Sequence, residues 1–116
     1  MGAPFSFDTA SEYLSSALID TALVGDINPV ALVAGQRVRV YRLLLNVHAA
    51  QLVTFKDSDN NVLLPQLSFG PTGALVLDFD GHPWLQTPLA KGLRISLANA
   101  VQTSGKIWYT QRGDSL

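Results

Sequence analysis

Three side chains that can bind a metal ion stand at alternate positions in the second half of the chain: Asp78, Asp80 and His82. Alternate side chains of a strand project from one face, so this spacing could present two carboxylates and an imidazole to the same ion. Gly81 and Pro83 are typical of a strand's end, however, and the sequence positions no second His or Glu to complete the coordination shell. A turn is therefore the favoured interpretation, and we predict no metal site.

A second group of oxygen ligands, the segment DSDNN at residues 57–61, begins like a calcium-binding EF-hand loop. Acidic or amide side chains occupy its first, third and fifth positions. The sixth position of such a loop needs Gly and the twelfth needs a bidentate Glu, whereas this chain has Val62 and Ser68 there. The segment is predicted to be the polar turn of a hairpin.

Nucleophilic catalysis would have to depend on Ser or Thr, because the chain has no cysteine and only two histidines, His48 and His82. No Gly-x-Ser-x-Gly elbow is present to activate a serine. Aspartate spacing alone leaves a two-carboxylate glycosidase site open, although the chain is very short for one. We therefore expect a protein that is not an enzyme and needs no cofactor.

The two tryptophans, Trp84 and Trp108, could stack on sugar rings and make the chain a carbohydrate-binding module or a receptor-binding tip. Large aromatic side chains also dominate protein cores and subunit interfaces. Packing or protein contact is the preferred interpretation of both residues.

The charge balance argues against nucleic acid and membranes as partners. Eight basic and nine acidic residues give a net charge of −1, without a run of basic residues. Apolar runs such as residues 43–45 are far too short to span a bilayer, and residues at the start lack the basic and apolar regions of a signal peptide. These features predict a soluble product made in the cytoplasm.

Charged residues make up only 15% of the chain, against about 25% in typical globular domains, while 47% are hydrophobic. A sparse coat of charge suggests that part of the surface contacts other protein. The alternative is a β-protein that uses Ser, Thr, Asn and Gln in place of charges. At 116 residues the chain is long enough for one domain with a substantial core.

The elements that carry these residues are predicted to be strands. Between residues 73 and 111, apolar and polar residues alternate in three bursts separated by Gly, Pro, Asn and Ser, which is typical of an antiparallel sandwich. The residues expected to share the inner face are Leu75, Leu77 and Phe79 in the first burst, Leu93, Ile95 and Leu97 in the second, and Ile107 and Tyr109 in the third. Trp108 is expected on the opposite face.

Further strands are predicted upstream, at residues 18–24, 30–33, 37–47, 51–56 and 62–67, with a turn at residues 25–29. In the longest of them, strict alternation after Val40 would bury Arg42 and expose Leu43 and Leu45. We therefore predict a β-bulge near residues 41–43. Eight or nine short strands favour an all-β, antiparallel, jelly-roll-like sandwich.

Residues 1–16 are interpreted as an N-terminal arm in front of a sandwich domain at residues 17–111. Three aromatic residues, Phe5, Phe7 and Tyr13, are scattered there without a period and need a surface to dock on. A match to a capping box at residues 9–12 leaves a helical turn open. Residues 112–116 are assigned to a tail, whose RGDS tetrapeptide matches an integrin ligand and is attributed to chance.

Several segments resemble small virion proteins of tailed bacteriophages. These are VLDFDGHPWLQT at residues 76–87, GLRISL at 92–97 and AVQTSGKIWY at 100–109, with QRVRVYRL at 36–43 and VTFKD at 53–57 upstream. The resemblance spans residues 18–111 and carries over no catalytic residue.

This resemblance implies a jelly-roll cement or decoration protein on the capsid exterior of the virion, synthesised in the bacterial host. Its partners would be the major capsid protein and further copies of itself, as a homo-dimer or homo-trimer. The expected contact residues are Phe5, Phe7, Tyr13, Trp84 and Trp108, and truncation of residues 1–16 should weaken capsid binding. Similar proteins also serve as head fibres and tail parts, so a glycan- or receptor-binding module of a fibre or tail is the alternative.

Overall fold

The computed structural model describes residues 14–78 and 81–113, and within these ranges the chain is all-β. The strands are β1 (Ser15–Thr21), β2 (Gly25–Val30), β3 (Arg37–Val47), β4 (Gln51–Asp57), β5 (Val62–Phe69), β6 (Ala74–Asp78), β7 (Leu85–Gln86), β8 (Leu93–Leu97) and β9 (Thr103–Arg112). No helix that could cross a membrane occurs in this part of the chain.

The strands form two antiparallel sheets. The five-stranded sheet has the order β1-β9-β3-β6, and the short strand β7 pairs with β3 beside β6; the four-stranded sheet has the order β2-β8-β4-β5. Most neighbours are far apart in sequence: β1 pairs with β9, and β2 pairs with β8. The two ends of the described chain are thereby tied together.

One hydrophobic core lies between the sheets and receives side chains from both. Val40, Leu45 and Ile107 come from the five-stranded sheet, and Phe55 and Ile95 from the four-stranded sheet, all less than 2% exposed. The predicted sandwich-like, all-β class is therefore confirmed.

The predicted bulge in the longest strand is also confirmed. The pairing of β3 with β9 shifts register between Val40 and Arg42, which leaves Tyr41 as the extra residue. Val40 and Leu43 are both buried as a result, whereas Arg42 turns to the outer face.

Two local predictions are wrong. Residues 25–29 do not form a turn but belong to β2, where Asp26 pairs with Ser96 and Ile27 with Ile95, and no strand covers residues 31–33. Ser15 and Ser16, which were assigned to the arm, pair with β9, and residues 1–13 lie outside the described residues. Pairing with β8 and β9 outweighs the local turn propensity of Gly, Asp, Asn and Pro.

Candidate interaction surface

The Asp57 segment is a structural turn, as predicted. Oδ1 of Asp57 accepts hydrogen bonds from the backbone N–H of Asp59 at 2.8 Å and of Asn61 at 3.0 Å, and the Asn61 side-chain amide reaches Oδ2 at 3.1 Å. Desolvation by itself raises the pKa of Asp57, but these hydrogen bonds and the nearby Lys91 ammonium outweigh it, so the pKa lies below its ordinary value. The Asp57 carboxylate is therefore held in place by hydrogen bonds from residues of its own hairpin turn.

The other candidate group, Asp78, Asp80 and His82, is described only in part. Oδ1 of Asp78 accepts a hydrogen bond from Nε of Arg42 at 3.0 Å across the β3–β6 pair. Asp80 lies outside the described residues. Among residues 14–78 and 81–113, no three His, Cys, Asp or Glu side chains are placed to hold an ion.

Three exposed apolar side chains, Leu18, Leu44 and Val76, lie on the outer face of the five-stranded sheet. The register aligns Leu18 of β1, Lys106 of β9, Leu44 of β3 and Val76 of β6 in one row across four strands. Leu18 is 72% exposed, Val76 67% and Leu44 43%. Together with Trp108 in the next row, Leu18, Leu44 and Val76 are called the apolar stripe below.

The apolar stripe borders an open groove of about 290 Å³. Its lining comes from β3, β6 and β9: Arg42, Leu43, Leu44, Val76, Leu77, Asp78 and Trp108. The next row across the sheet contains Ser16, Trp108, Arg42 and Asp78, and the ion pair between Arg42 and Asp78 lies in the lining of the groove. An apolar side chain of a partner could enter this groove beside two charged groups.

Basic residues are concentrated on the same face. Five of the chain's eight basic residues lie on the adjacent strands β3 and β9 and point outward: Arg37, Arg39, Arg42, Lys106 and Arg112. The Lys106 ammonium lies 5.4 Å from the centre of the Trp108 ring, in a cation–π contact. The described part of this face therefore has apolar side chains in its middle and basic side chains toward one end.

The outer face of the four-stranded sheet carries polar side chains that form hydrogen bonds with one another. Nε of Arg94 donates to Oδ1 of Asn28 at 2.8 Å, and its Nη1 donates to Oδ1 of Asn60 at 2.7 Å. Ser96 donates to the carboxylate of Asp26 in the adjacent strand. These polar side chains bond to each other across strands, so the two outer faces are chemically distinct.

The two tryptophans are on different sides of the five-stranded sheet. Trp108 lines the groove, whereas Trp84 packs against the core, edge-on to Phe55 with ring centroids 5.5 Å apart and planes at 86°. The indole N–H of Trp84 is buried, and no residue of ranges 14–78 and 81–113 accepts a hydrogen bond from it. The other three predicted contact residues, Phe5, Phe7 and Tyr13, lie outside the described residues.

Sequence reasoning did not single out Leu18, Leu44, Val76 or Lys106. The available signal was an apolar side chain in the outward phase of a strand, such as Val76 on the same face as Asp78. That signal is weak, since isolated exposed apolar residues are common on protein surfaces. Only their alignment across four strands makes a patch.

No known protein family matches the chain, and comparisons with characterised proteins and with solved structures likewise give no match.

Proposed function

We propose that the chain is a structural, non-enzymatic virion protein of a tailed bacteriophage, a cement or decoration protein that binds and stabilises the shell of major capsid protein from the exterior. The observation that carries this proposal is the apolar stripe on the outer face of the five-stranded sheet. Within the stripe, Leu44, Val76 and Trp108 adjoin one another around the groove, and exposed apolar surface of this kind marks a protein-interaction site. The stripe belongs to paired strands over a filled core, as a permanent contact to a rigid shell would require.

We also propose that the two sheets form a jelly roll. In that fold an eight-stranded hairpin, pairing first with last and so on inward, is rolled into two sheets. Four pairings support this assignment: β1 with β9, β2 with β8, β3 with β6 and β4 with β5. Strand β7 is then an addition to the connection between β6 and β8.

The arm is proposed as a second contact to the shell. Phe5, Phe7 and Tyr13 supply aromatic side chains of the kind enriched in interfaces. Self-association to a homo-dimer or homo-trimer would match the symmetry of a shell. Mass measurement of the purified chain in solution tests that part of the proposal.

The main experiment mixes the purified chain with shells assembled from the major capsid protein encoded by the same phage genome. We expect saturable co-sedimentation and a higher temperature of shell disruption. A variant lacking residues 1–13 should remain folded and bind more weakly. The deletion ends there because β1 begins at Ser15. Failure of the full chain to co-sediment would contradict the proposal.

One observation favours the alternative, a glycan- or receptor-binding module of a fibre or tail. Trp108 lines an open groove together with Arg42 and Asp78, and sugar sites combine an aromatic ring with charged hydrogen-bonding groups. Lys106 already covers part of that ring. A glycan array probed with the chain and with Trp108→Ala separates the two functions: glycan binding lost in the variant, with shell binding retained, would favour the alternative.

A further inference from the structure

Apart from the two-residue strand β7, four strands lie at the edges of the two sheets: β1 and β6 in one, β2 and β5 in the other. An edge strand presents unpaired backbone N–H and C=O groups to any further strand, and proteins commonly block such edges with proline, charge or a bulge. Strands β2 and β5 contain Pro29 and Pro65, and each pairs with its neighbour through a register shift. Strand β6 keeps an unbroken register with β3 and contains neither proline nor lysine. We propose that β6 pairs antiparallel with β6 of a second copy of the chain, so that two five-stranded sheets join into one.

The register of β6 shows which of its backbone groups are available for such pairing. The N–H of Val47 donates to the carbonyl of Gly73 at 2.9 Å, directly before β6 begins. Hydrogen-bonded and non-hydrogen-bonded pairs alternate along an antiparallel ladder, so the backbone groups of Leu75 and Leu77 point to β3. Among residues 14–78 and 81–113, no strand pairs with β6 on its other side. The residues whose backbone N–H and C=O groups point to that side are Ala74, Val76 and Asp78.

Two copies of β6 match each other about a two-fold axis at Val76. Antiparallel pairing centred there places Val76 opposite Val76 of the second copy, and Ala74 opposite Asp78 of the second copy. All three residues with outward backbone groups then stand in hydrogen-bonded pairs, with two hydrogen bonds for each pair. The two Asp78 carboxylates lie at opposite ends of the paired strands, about 14 Å apart along them, so like charges do not meet. The contact is therefore self-complementary, as an isologous dimer requires.

The side chains on the inner face favour the β6 edge over the β1 edge. Leu75 and Leu77 pack against the core but are only half-buried. The proposed pairing sets Leu75 opposite Leu77 of the second copy in a non-hydrogen-bonded pair, where side chains across strands are closest. At the other edge, Ile19 of β1 is 1% exposed, and β1 contacts β2 of the four-stranded sheet. A second copy would therefore bury more apolar surface at β6 than at β1.

This inference rests on the self-association included in the proposed function and specifies a dimer, the strand that forms it and its register. In that dimer the row of Leu18, Lys106, Leu44 and Val76 continues into the same row of the second copy. Leu44 and Val76 of the two copies then lie side by side on one outer face. The dimer would present a single apolar surface to the capsid shell.

The test uses one proline substitution at each edge of the five-stranded sheet. Val76→Pro removes an N–H that points away from β3, so no hydrogen bond within one copy is lost. Leu18→Pro is the matched control in β1. The N–H of His48 donates to the carbonyl of Gln102 at 3.0 Å, and alternation from that pair directs the backbone groups of Lys106 to β3. Leu18, opposite Lys106, therefore also has its N–H directed away from its neighbour.

Thermal unfolding of each variant is measured first, and oligomeric mass is then measured by analytical ultracentrifugation over a series of concentrations. We expect the unsubstituted chain to reach twice the mass of one copy. Val76→Pro should weaken dimerisation about tenfold or more, because both hydrogen bonds of the central pair are lost. Leu18→Pro should dimerise within about twofold of the unsubstituted chain. Val76→Lys, which places a charge at the two-fold axis, serves as a second variant should Val76→Pro fail to fold.

Distances between spin labels test the register. The chain has no cysteine, so a single introduced cysteine carries the label. Backbone positions of Ala74→Cys in the two copies should lie about 15 Å apart, and those of Leu18→Cys about 34 Å apart, across seven strand spacings. A short distance at position 18 with a long one at position 74 would place the contact at β1 and overturn the inference.

Other outcomes also decide it. A monomeric unsubstituted chain, or equal dimerisation by Val76→Pro, Val76→Lys and the unsubstituted chain, would overturn the inference. A mass that rises beyond the dimer and falls in both proline variants would indicate head-to-tail pairing of β6 with β1, and would overturn it too. Binding to shells is measured separately: a β6 dimer that does not bind them contradicts the proposed function and supports the inference, whereas a monomer that binds them overturns the inference alone.

Discussion

Leu43 and Leu44 are neighbours in β3, yet their side chains lie on opposite faces of the five-stranded sheet: Leu43 is 1% exposed and packs in the core, whereas Leu44 is 43% exposed on the outer face. The bulge at Tyr41 determines which of the later side chains of β3 point into the core and which point outward. We therefore expect the stability of the fold to depend on Leu43 and the proposed shell contact to depend on Leu44.

Leu43→Ala should therefore destabilise the fold by about 2–5 kcal/mol, because it leaves a cavity between the sheets. Leu44→Ala should change the free energy of unfolding by about 0.5 kcal/mol or less. Urea denaturation measures both. A similar loss of unfolding free energy in the two variants would contradict the assignment of Leu43 to the core and Leu44 to the outer face.

Gly105 is where β9 passes closest to β3. A Cβ atom at this position would lie 1.9 Å from the backbone oxygen of Leu44, and backbone in the middle of a sheet cannot move away. Gly105→Ala should cost about 3 kcal/mol or more in unfolding free energy. Gly70→Ala is the control, since a Cβ there meets nothing within 4 Å. Equal stability of the two variants would show that the strands can separate locally.

Asp57 should make the fold sensitive to acid. Its pKa is lower in the folded chain than the ordinary value of about 3.9, so its contribution to stability is complete above that value and is lost as the pH falls through the folded pKa. Asp57→Asn and Asn61→Ala should both flatten the fall in unfolding free energy measured from pH 6 to pH 2. Asp20→Asn controls for the loss of one negative charge. An unchanged slope in Asp57→Asn would contradict this role.

The two tryptophans should respond differently to a quencher in solution. Trp84→Phe leaves only the groove residue Trp108, and Trp108→Phe leaves only the core-packed Trp84. Acrylamide should quench the fluorescence of Trp108 more strongly. Trp84→Ala should also destabilise the fold by about 3 kcal/mol or more through loss of the contact with Phe55. Equal quenching of the two rings would place them in similar environments.

Local patterns predicted much of the sheet correctly. Alternation located β3 through β6, β8 and β9, and the conflict between burying Arg42 and exposing Leu43 predicted the bulge. The polar turn at Asp57 followed from side chains that bond to their own backbone. The same local logic failed at residues 25–29, where pairing with β8 extends a segment rich in turn residues.

By itself, the sequence determined the strand class, the phase of most strands and the turn at Asp57, because periodicity and turn chemistry act over a few residues. Only the tertiary structure decided which strands are neighbours. It brought Leu18, Lys106, Leu44 and Val76 into one row, and it placed Trp84 against the core and Trp108 in the groove. Alternation assigns a side chain to one of two faces, whereas a surface site depends on pairing between strands that are distant in the chain.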